Sequence, residues 1–465
     1  MKKAEITVFL ALLLSCICGL LCMIIESART QAMRLRIEEL MDAGLHSCFG
    51  EYQQELFGYY DLLYIDTSYG KAEGTIDTAL VHLREYIEEN FGNKAGTAQT
   101  GDWFKLSVEK IAERQYLLAS DKRGHALRNQ AVHFMKAYSG SSHLSVTAQA
   151  ADDIAQIAAV DFAGEWESAL RKAEGFGKPF TNVSRIVKDA GNKDVLDLLA
   201  VNAAGRNLNS LSALPYQEVP SKRSLKAGSA VKAIPEAADA EPLFDEYLLL
   251  KCADYTDGYN DRVLCCELEY ILYGKPSDRE NLELIVNQLM ELREGENLNR
   301  LFSDEGKFLE AEKLARKLVG IYGIEGFAEA VRDSILYAWA YAESAIEVSC
   351  LLSGGRAEVF PSRGSWVLPL NQLLEFREYI GNKGGSGLLY EEYLGAFLHH
   401  TEADIKILRC MDIIEMNLRV LKNPAFRIDG CLEYLEAEVY FKSSYGYSYQ
   451  IKRDFGYETS YRSDS

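Results

Sequence analysis

His399 and His400, followed by Glu402, form the only histidine pair in this sequence and the first place to look for a metal site. On a helix, adjacent side chains point about 100° apart, so the two imidazoles cannot easily share an ion. Glu267 with Glu269 and Glu391 with Glu392 are paired carboxylates, the residue type of general acid–base work, but such pairs arise often in a chain with 69 acidic residues. The glycine run at 381–387 would cradle a phosphate only between a strand and a GK[ST] helix start, and without that context it reads as a turn. No HExxH, GxSxG, zinc-ribbon or Cys–His signature occurs. The expectation is a non-catalytic protein with no cofactor and no metal; a site assembled from distant residues would leave no motif.

The elements that must position any chemistry begin with an anchor. From Val8 to Ile25 the chain reads VFLALLLSCICGLLCMII, without a charge. As a helix this run is about 27 Å long, close to the roughly 30 Å of a hydrocarbon core. A cleaved signal would have a shorter apolar region ending at small residues, whereas Glu26 closes this one. A lipid-attachment box is loosely suggested by Leu13 to Cys16, yet nine more apolar positions follow, as in a retained anchor. Lys2 and Lys3 before the span nearly balance Arg29, Arg34 and Arg36 after it, so charge does not decide orientation. A short basic tail before a single span favours placing everything after Ile25 outside the cell membrane.

The whole chain has 465 residues, 48% of them hydrophobic, and a formal net charge of -19. That composition excludes wholesale disorder, and the acidic field excludes a phosphate-tracking nucleic-acid protein. Seven of the ten cysteines lie beyond the span, scattered among apolar neighbours without a CxxC, which reads as small buried hydrophobes more than as a disulfide framework.

Beyond the span, Ile37, Leu40, Met41, Leu45, Cys48, Phe49, Tyr52, Leu56 and Tyr60 recur at helical spacing. With no proline before Pro179, span and stripe can form one element from about Glu5 to Tyr60, bent or interrupted at Gly44, Gly50 or Gly58. Two roles suit the stripe: a stalk packed on its own domain, or a stem packing between subunits. The opening KKAEITVF, the apolar run and IIESAR (24–29) resemble the stem of minor pseudopilins from Tad-type pilus systems, in which a Glu closes the apolar segment. More of the chain resembles an uncharacterised family of membrane-anchored proteins associated with Tad-like pilus or type II secretion machinery of Gram-positive anaerobes. The matching stretches are ASDKRG (119–124), QAVHFMK (130–136), ELEYILYGKPSDRENL (267–282, the most specific), AWAYAES (338–344) and YEEYL (390–394). Ala4 departs from the glycine that usually precedes the mature Tad stem.

The resemblance implies a pseudopilin-like component of a Tad-like pilus or secretion assembly, with the membrane and other pilin-like stems or secretion-platform proteins as partners. Its assembly residues would be Glu5, Glu26, Arg29, Ile37, Leu40, Met41, Leu45 and Phe49. In pilins a stem carboxylate pairs with a neighbour's amino terminus, which makes Glu5 a candidate; local snorkelling beside Lys3 is the alternative. Glu26 and Arg29, at i and i+3, can also simply pair with each other. An unassembled envelope adhesin or ligand-binding module, and a membrane-anchored hydrolase, are the alternative functions.

The fold class expected is α+β. Residues 1–60 form the transmembrane and stem helix and 61–138 a mixed region, with a strand at 105–118 and an amphipathic helix at 124–137. Residues 139–242 read as loose helices and a linker, with the main boundary near Pro242. Residues 243–430 read as helices over 243–273, 277–302, 308–319, 324–352 and 389–420, with Ser277 as a cap. Residues 431–465 close the chain as a β-hairpin and tail, from alternation at 435–441 and 447–453. Its tyrosines suit packing, and an adhesive face is the second reading.

Overall fold

A computed structural model describes residues 2–71, 74–91, 104–138, 144–158, 196, 199, 208–209, 218–229, 239–257, 262–322, 327–360, 362, 364–381 and 385–457. In chain order these form α1 (Lys2–Phe49), α2 (Gln54–Tyr60), β1 (Ile65–Asp66), α3 (Ile76–Glu89), β2 (Leu106–Leu118), α4 (Asp121–Tyr138) and α5 (Leu144–Ala158). There follow α6 (Ala240–Lys251), α7 (Glu267–Tyr273), α8 (Asp278–Ser303), α9 (Glu305–Tyr322) and α10 (Ala328–Leu352). The chain ends with α11 (Tyr390–His399), α12 (Ala403–Leu421), β3 (Cys431–Ser443) and β4 (Ser448–Gly456). The fold is α+β, with a long apolar first helix, a small antiparallel sheet and a helical middle. Contacts divide it into two units: residues 1–130, 225–235 and 422–465, and residues 131–224 and 236–421. These units cut across the sequence-order segments, because the final hairpin belongs with the stem.

In the first unit β3 is the central strand. Its 13 residues pair antiparallel with β2 along one edge, from Leu106 opposite Ser443 to Leu118 opposite Leu432, and with β1 and then β4 along the other. Alternation is what makes this possible: Leu435, Ala437, Val439 and Phe441 are all buried on the core side. Onto them pack α3, through Leu80, Leu83 and Ile87, and the far half of α1. Gly44 does not bend α1; a Cβ there would lie 2.7 Å from the Ile87 side chain, so glycine lets α3 approach. Gly50 is where α1 stops, and α2 begins afresh at Gln54, while Gly58 sits inside α2.

The second unit is helical and is built around α8 and α10. The α10 segment is long and apolar enough to cross a membrane, but 83% of its apolar window is buried inside the protein, so it is a core helix. Its Trp339 is fully enclosed and donates from Nε1 to the Leu368 carbonyl at 2.8 Å. Pro242 falls in the first turn of α6, where a missing N–H leaves no helical bond unmade. Two helices expected to be continuous are broken. The span 243–273 divides into α6 and α7 around a loop, and 389–420 divides into α11 and α12 at His400–Glu402. Most of the stretch 139–242 lies outside the described residues.

Unlike the stem core, this interior carries many ionisable groups. Arg293 is fully buried; its Nε donates to Glu347 at 2.8 Å, and its Nη1 to the carbonyls of Glu358 and Val359 at 2.6 and 3.1 Å. Asn297 donates to Ser344 and Glu347. Glu343 accepts from the backbone N–H groups of Val367 and Leu368, and burial pushes its carboxyl up to about 7. Asp412 takes both donors of Ser221 and the Tyr270 hydroxyl, with burial pushing it up to about 6. Lys406, also buried, is held by Asp245 and Glu241.

Candidate membrane-proximal site

The first helix has two halves with opposite surroundings. Along the first, every large apolar side chain from Ile6 to Ile25 is exposed, including Val8, Phe9, Leu12, Leu14 and Ile24. Along the second, Ile37, Leu40, Met41, Leu45 and Phe49 are each at most 2% exposed and belong to the core formed with α3 and the sheet. Of the two roles foreseen for this stripe, packing on its own domain is the one observed. This face of the helix is covered by its own sheet and by α3. Phe49 is closed in by Phe455 and Tyr457, whose ring centroids lie 4.8 and 5.2 Å away. The rim of this core carries charge, where Arg453 faces Glu38 and Asp42 at 3.6 and 3.5 Å.

Between the halves lies a small polar clasp. Glu26 and Arg29 form the expected i, i+3 pair, at 3.9 Å. Two tyrosines from the far end of the chain complete it. Tyr447 donates its hydroxyl to Glu26, and the Arg29 guanidinium lies over the Tyr445 ring, 3.8 Å from its centroid. The turn joining β3 to β4 is what delivers them: Ser443 and Tyr447 close it backbone to backbone, and Gly446 takes a left-handed φ of +87° that a side chain would strain. Sequence periodicity identified the hairpin and the Glu26–Arg29 pair, but nothing in either segment signals that they meet. The side chain of Glu5 lies outside the described residues; its backbone is part of α1.

The chemistry-bearing residues singled out from the sequence lie elsewhere and do not converge. His399 faces Asp245 at 3.9 Å while His400 bonds the Ala151 carbonyl at 3.0 Å, so the two rings serve different partners. Glu267 accepts from the Ala253 N–H and from Asn417, and Glu269 accepts from the Tyr255 N–H and the Tyr390 hydroxyl. Both are fully buried, and burial raises both carboxyls above their ordinary range. Glu392 accepts from the Leu389 N–H at 2.7 Å at the start of α11. The glycine run is described at Gly381 and 385–387 only, where Leu388 pairs with Ala357 in a short bridge. Ser277 stands at the N-cap of α8 without a side-chain cap bond, and the neighbouring Asp278 accepts from N–H groups outside the helix, those of Asn209, Cys265 and Cys266.

Three further groupings bring together residues that are distant or unremarkable in the sequence. Cys265, Cys266 and Asp278 bring possible ligand atoms within 4.8 Å of one another, although Asp278 is already saturated by N–H donors and burial holds the Cys266 thiol protonated. None of the ten cysteines is in a disulfide. A cleft of about 450 Å³ in the second unit is lined by Glu347, Cys350, Arg356, Glu358, Ser365 and Ser386, among others. In the first unit His82 and Tyr86 both bond Glu51, at 3.0 and 2.6 Å, beside Cys48, whose thiol burial pushes up to about 12 and so keeps from acting as a nucleophile. Spacing along the chain could not reveal any of these, since each joins segments that periodicity treats separately.

Fold and site together define an α+β protein with a long apolar amino-terminal helix whose second half is built into its own domain. The chain belongs to a family of unknown function, DUF5702, whose model matches residues 176–443. The match takes in the helices α6 to α12 and strand β3, and leaves the stem helix outside it. No curated protein and no solved structure matches the chain.

Proposed function

We propose that the chain is a non-catalytic, single-pass membrane protein, pseudopilin-like in its stem, that serves as an extracytoplasmic component of a Tad-like pilus or secretion assembly. The observation that supports this most is the division of α1: twenty exposed residues from Ile6 to Ile25 and then a half enclosed by its own domain. Apolar side chains of that number have no stable place in water, and a helix of about 30 Å suits a bilayer core. Assembly would run through the exposed half, where association in lipid depends on specific packing. Protease added to intact protoplasts should digest everything after Arg36; full protection would put the bulk in the cytoplasm and sink the pilus reading. Photo-crosslinkers at Leu12 and Leu20, in native membranes, should capture pilin-like stems or secretion-platform proteins identified by mass spectrometry. Lipid adducts alone would overturn the assembly role and favour a lone anchored ligand-binding module, a second reading to which the cleft beside Glu347 and Arg356 lends support.

A further inference from the structure

The β3–β4 turn reaches α1 where the apolar run ends, and this has a consequence for how the first unit meets a bilayer. Glu26 and Arg29 stand one and four residues beyond Ile25, which is about 1.5 to 6 Å along the helix axis. Tyr447 and Tyr445 contact those two residues directly, so the turn lies at the same height. The headgroup layer on each side of a hydrocarbon core is roughly 5 to 8 Å thick. Resting on the reading of Ile6–Ile25 as a membrane span, we infer that the tip of the β3–β4 hairpin docks into the phospholipid headgroup layer, with Tyr445 as the contacting side chain.

The chemistry of the tip suits that place. Tyr445 is 48% exposed although its ring is held against Arg29, so it offers an apolar edge and a hydroxyl to a layer that is apolar below and wet above. Lys105, exposed and joined to the turn by the bond from the Ser444 N–H to its carbonyl, supplies positive charge for the phosphates, while Arg29 is paired with Glu26. The exposed face is continuous with the apolar helix, which is why lipid, and not a soluble partner, is the occupant. With the turn and the helix both engaged, the first unit would have two points of attachment instead of one and could not swivel freely about the anchor.

The test uses the full-length chain in vesicles of phosphatidylcholine and phosphatidylglycerol, with a photoreactive benzophenone amino acid at Leu14, Tyr445 or Phe57, and mass spectrometry of lipid adducts. Adducts are expected at 14 and 445 and not at 57, an exposed aromatic on α2 well along the chain from the anchor. Adducts at 14 without any at 445 would overturn the docking and leave the anchor intact. Absence at 14 would overturn the membrane reading itself. Equal labelling at 57 and 445 would reduce the contact to nonspecific collision and overturn the docking as well.

Discussion

The stem core of the first unit and the helical core of the second are built in different ways. Around α1 the first unit buries aliphatic and aromatic side chains, from Met33 to Phe49 on the helix and from Leu432 to Phe441 on β3, and leaves Arg453, Glu38 and Asp42 on its rim. The second buries Arg293, Glu343, Lys406, Asp412 and Glu415 among its helices and holds each of them with side-chain or backbone partners, although Arg293 Nη2 is left without a hydrogen bond among the described residues. An apolar core gains stability from area removed from water and tolerates loss in proportion to volume. A buried polar network has each member depending on the next, so removing one partner strands the others. The difference is one of fragility, and it can be broken or sharpened by substitution.

The largest effect is expected at Arg293. Arg293→Met keeps the volume but leaves the carbonyls of Glu358 and Val359 without this donor and Glu347 without its buried counter-charge, with only Asn297, among the described residues, still donating to it, which should destabilise the second unit by about 3–5 kcal/mol. Hydrogen exchange should rise across α8 and α10 and stay unchanged across β2 and β3. A loss below about 1 kcal/mol would mean the network is dispensable and would erase the contrast. Leu40→Ala in the stem core is the reciprocal test. A cavity at a fully packed site costs about 2–5 kcal/mol, and exchange should now rise across α3 and β3 while α8 and α10 hold. Normal exchange there would indicate that the stem half is only loosely attached.

Acidity separates the two regions further. The Glu343 carboxyl, ordinarily near 4.5, is pushed up to about 7 by burial, so between these values the folded chain holds a proton that the unfolded chain releases. That contribution is complete below about pH 4.5 and lost as the pH rises through about 7, on the order of 3 kcal/mol in all. Chemical denaturation at several pH values should show the second unit losing stability over this window, and Glu343→Gln should flatten the slope. A slope that survives the substitution would assign it to Asp412 or another buried acid.

The same contrast explains how much could be read from the chain alone. The stripe from Ile37 to Phe49, the alternation at Leu435 to Phe441 and the strand ending at Leu118 follow from apolar periodicity, which an apolar core needs, and the helix start at Ser277 follows from capping and dipole chemistry. What periodicity cannot carry is partnership at a distance. Strand β3 pairs with β2 more than three hundred residues earlier, and nothing local in Leu106 to Leu118 names Cys431 to Ser443 as its neighbour. Glu267 and Glu269 look like surface carboxylates in an acidic sequence, yet both are buried, because their donors come from Ala253, Tyr255, Tyr390 and Asn417. The break between α11 and α12 is silent as well, since His400, Thr401 and Glu402 include neither glycine nor proline. The Glu26–Arg29 half of the clasp was legible as an i, i+3 pair; its tyrosine half was not.

The smallest expected effect is the most direct comparison, because it deletes the same atom in both regions. Tyr270 and Tyr447 each donate a hydroxyl to a carboxylate, of Asp412 and Glu26 respectively. Asp412 is fully buried, so Tyr270→Phe leaves a carboxylate that water cannot reach, at a cost of about 1–3 kcal/mol. The loss of that donor should also raise the Asp412 pKa beyond its present value of about 6, which moves the pH dependence of the second unit toward neutrality. Glu26 is different: its side chain is 45% exposed and Arg29 stays beside it, so after Tyr447→Phe the carboxylate is rehydrated and the loss should be no more than about 1 kcal/mol. Exchange should increase only in the turn at 443–448, with the Arg29–Tyr445 stack intact. Equal losses for the two substitutions would show that the surroundings of a carboxylate, water on one side and protein on the other, do not set the cost of removing its partner in this chain.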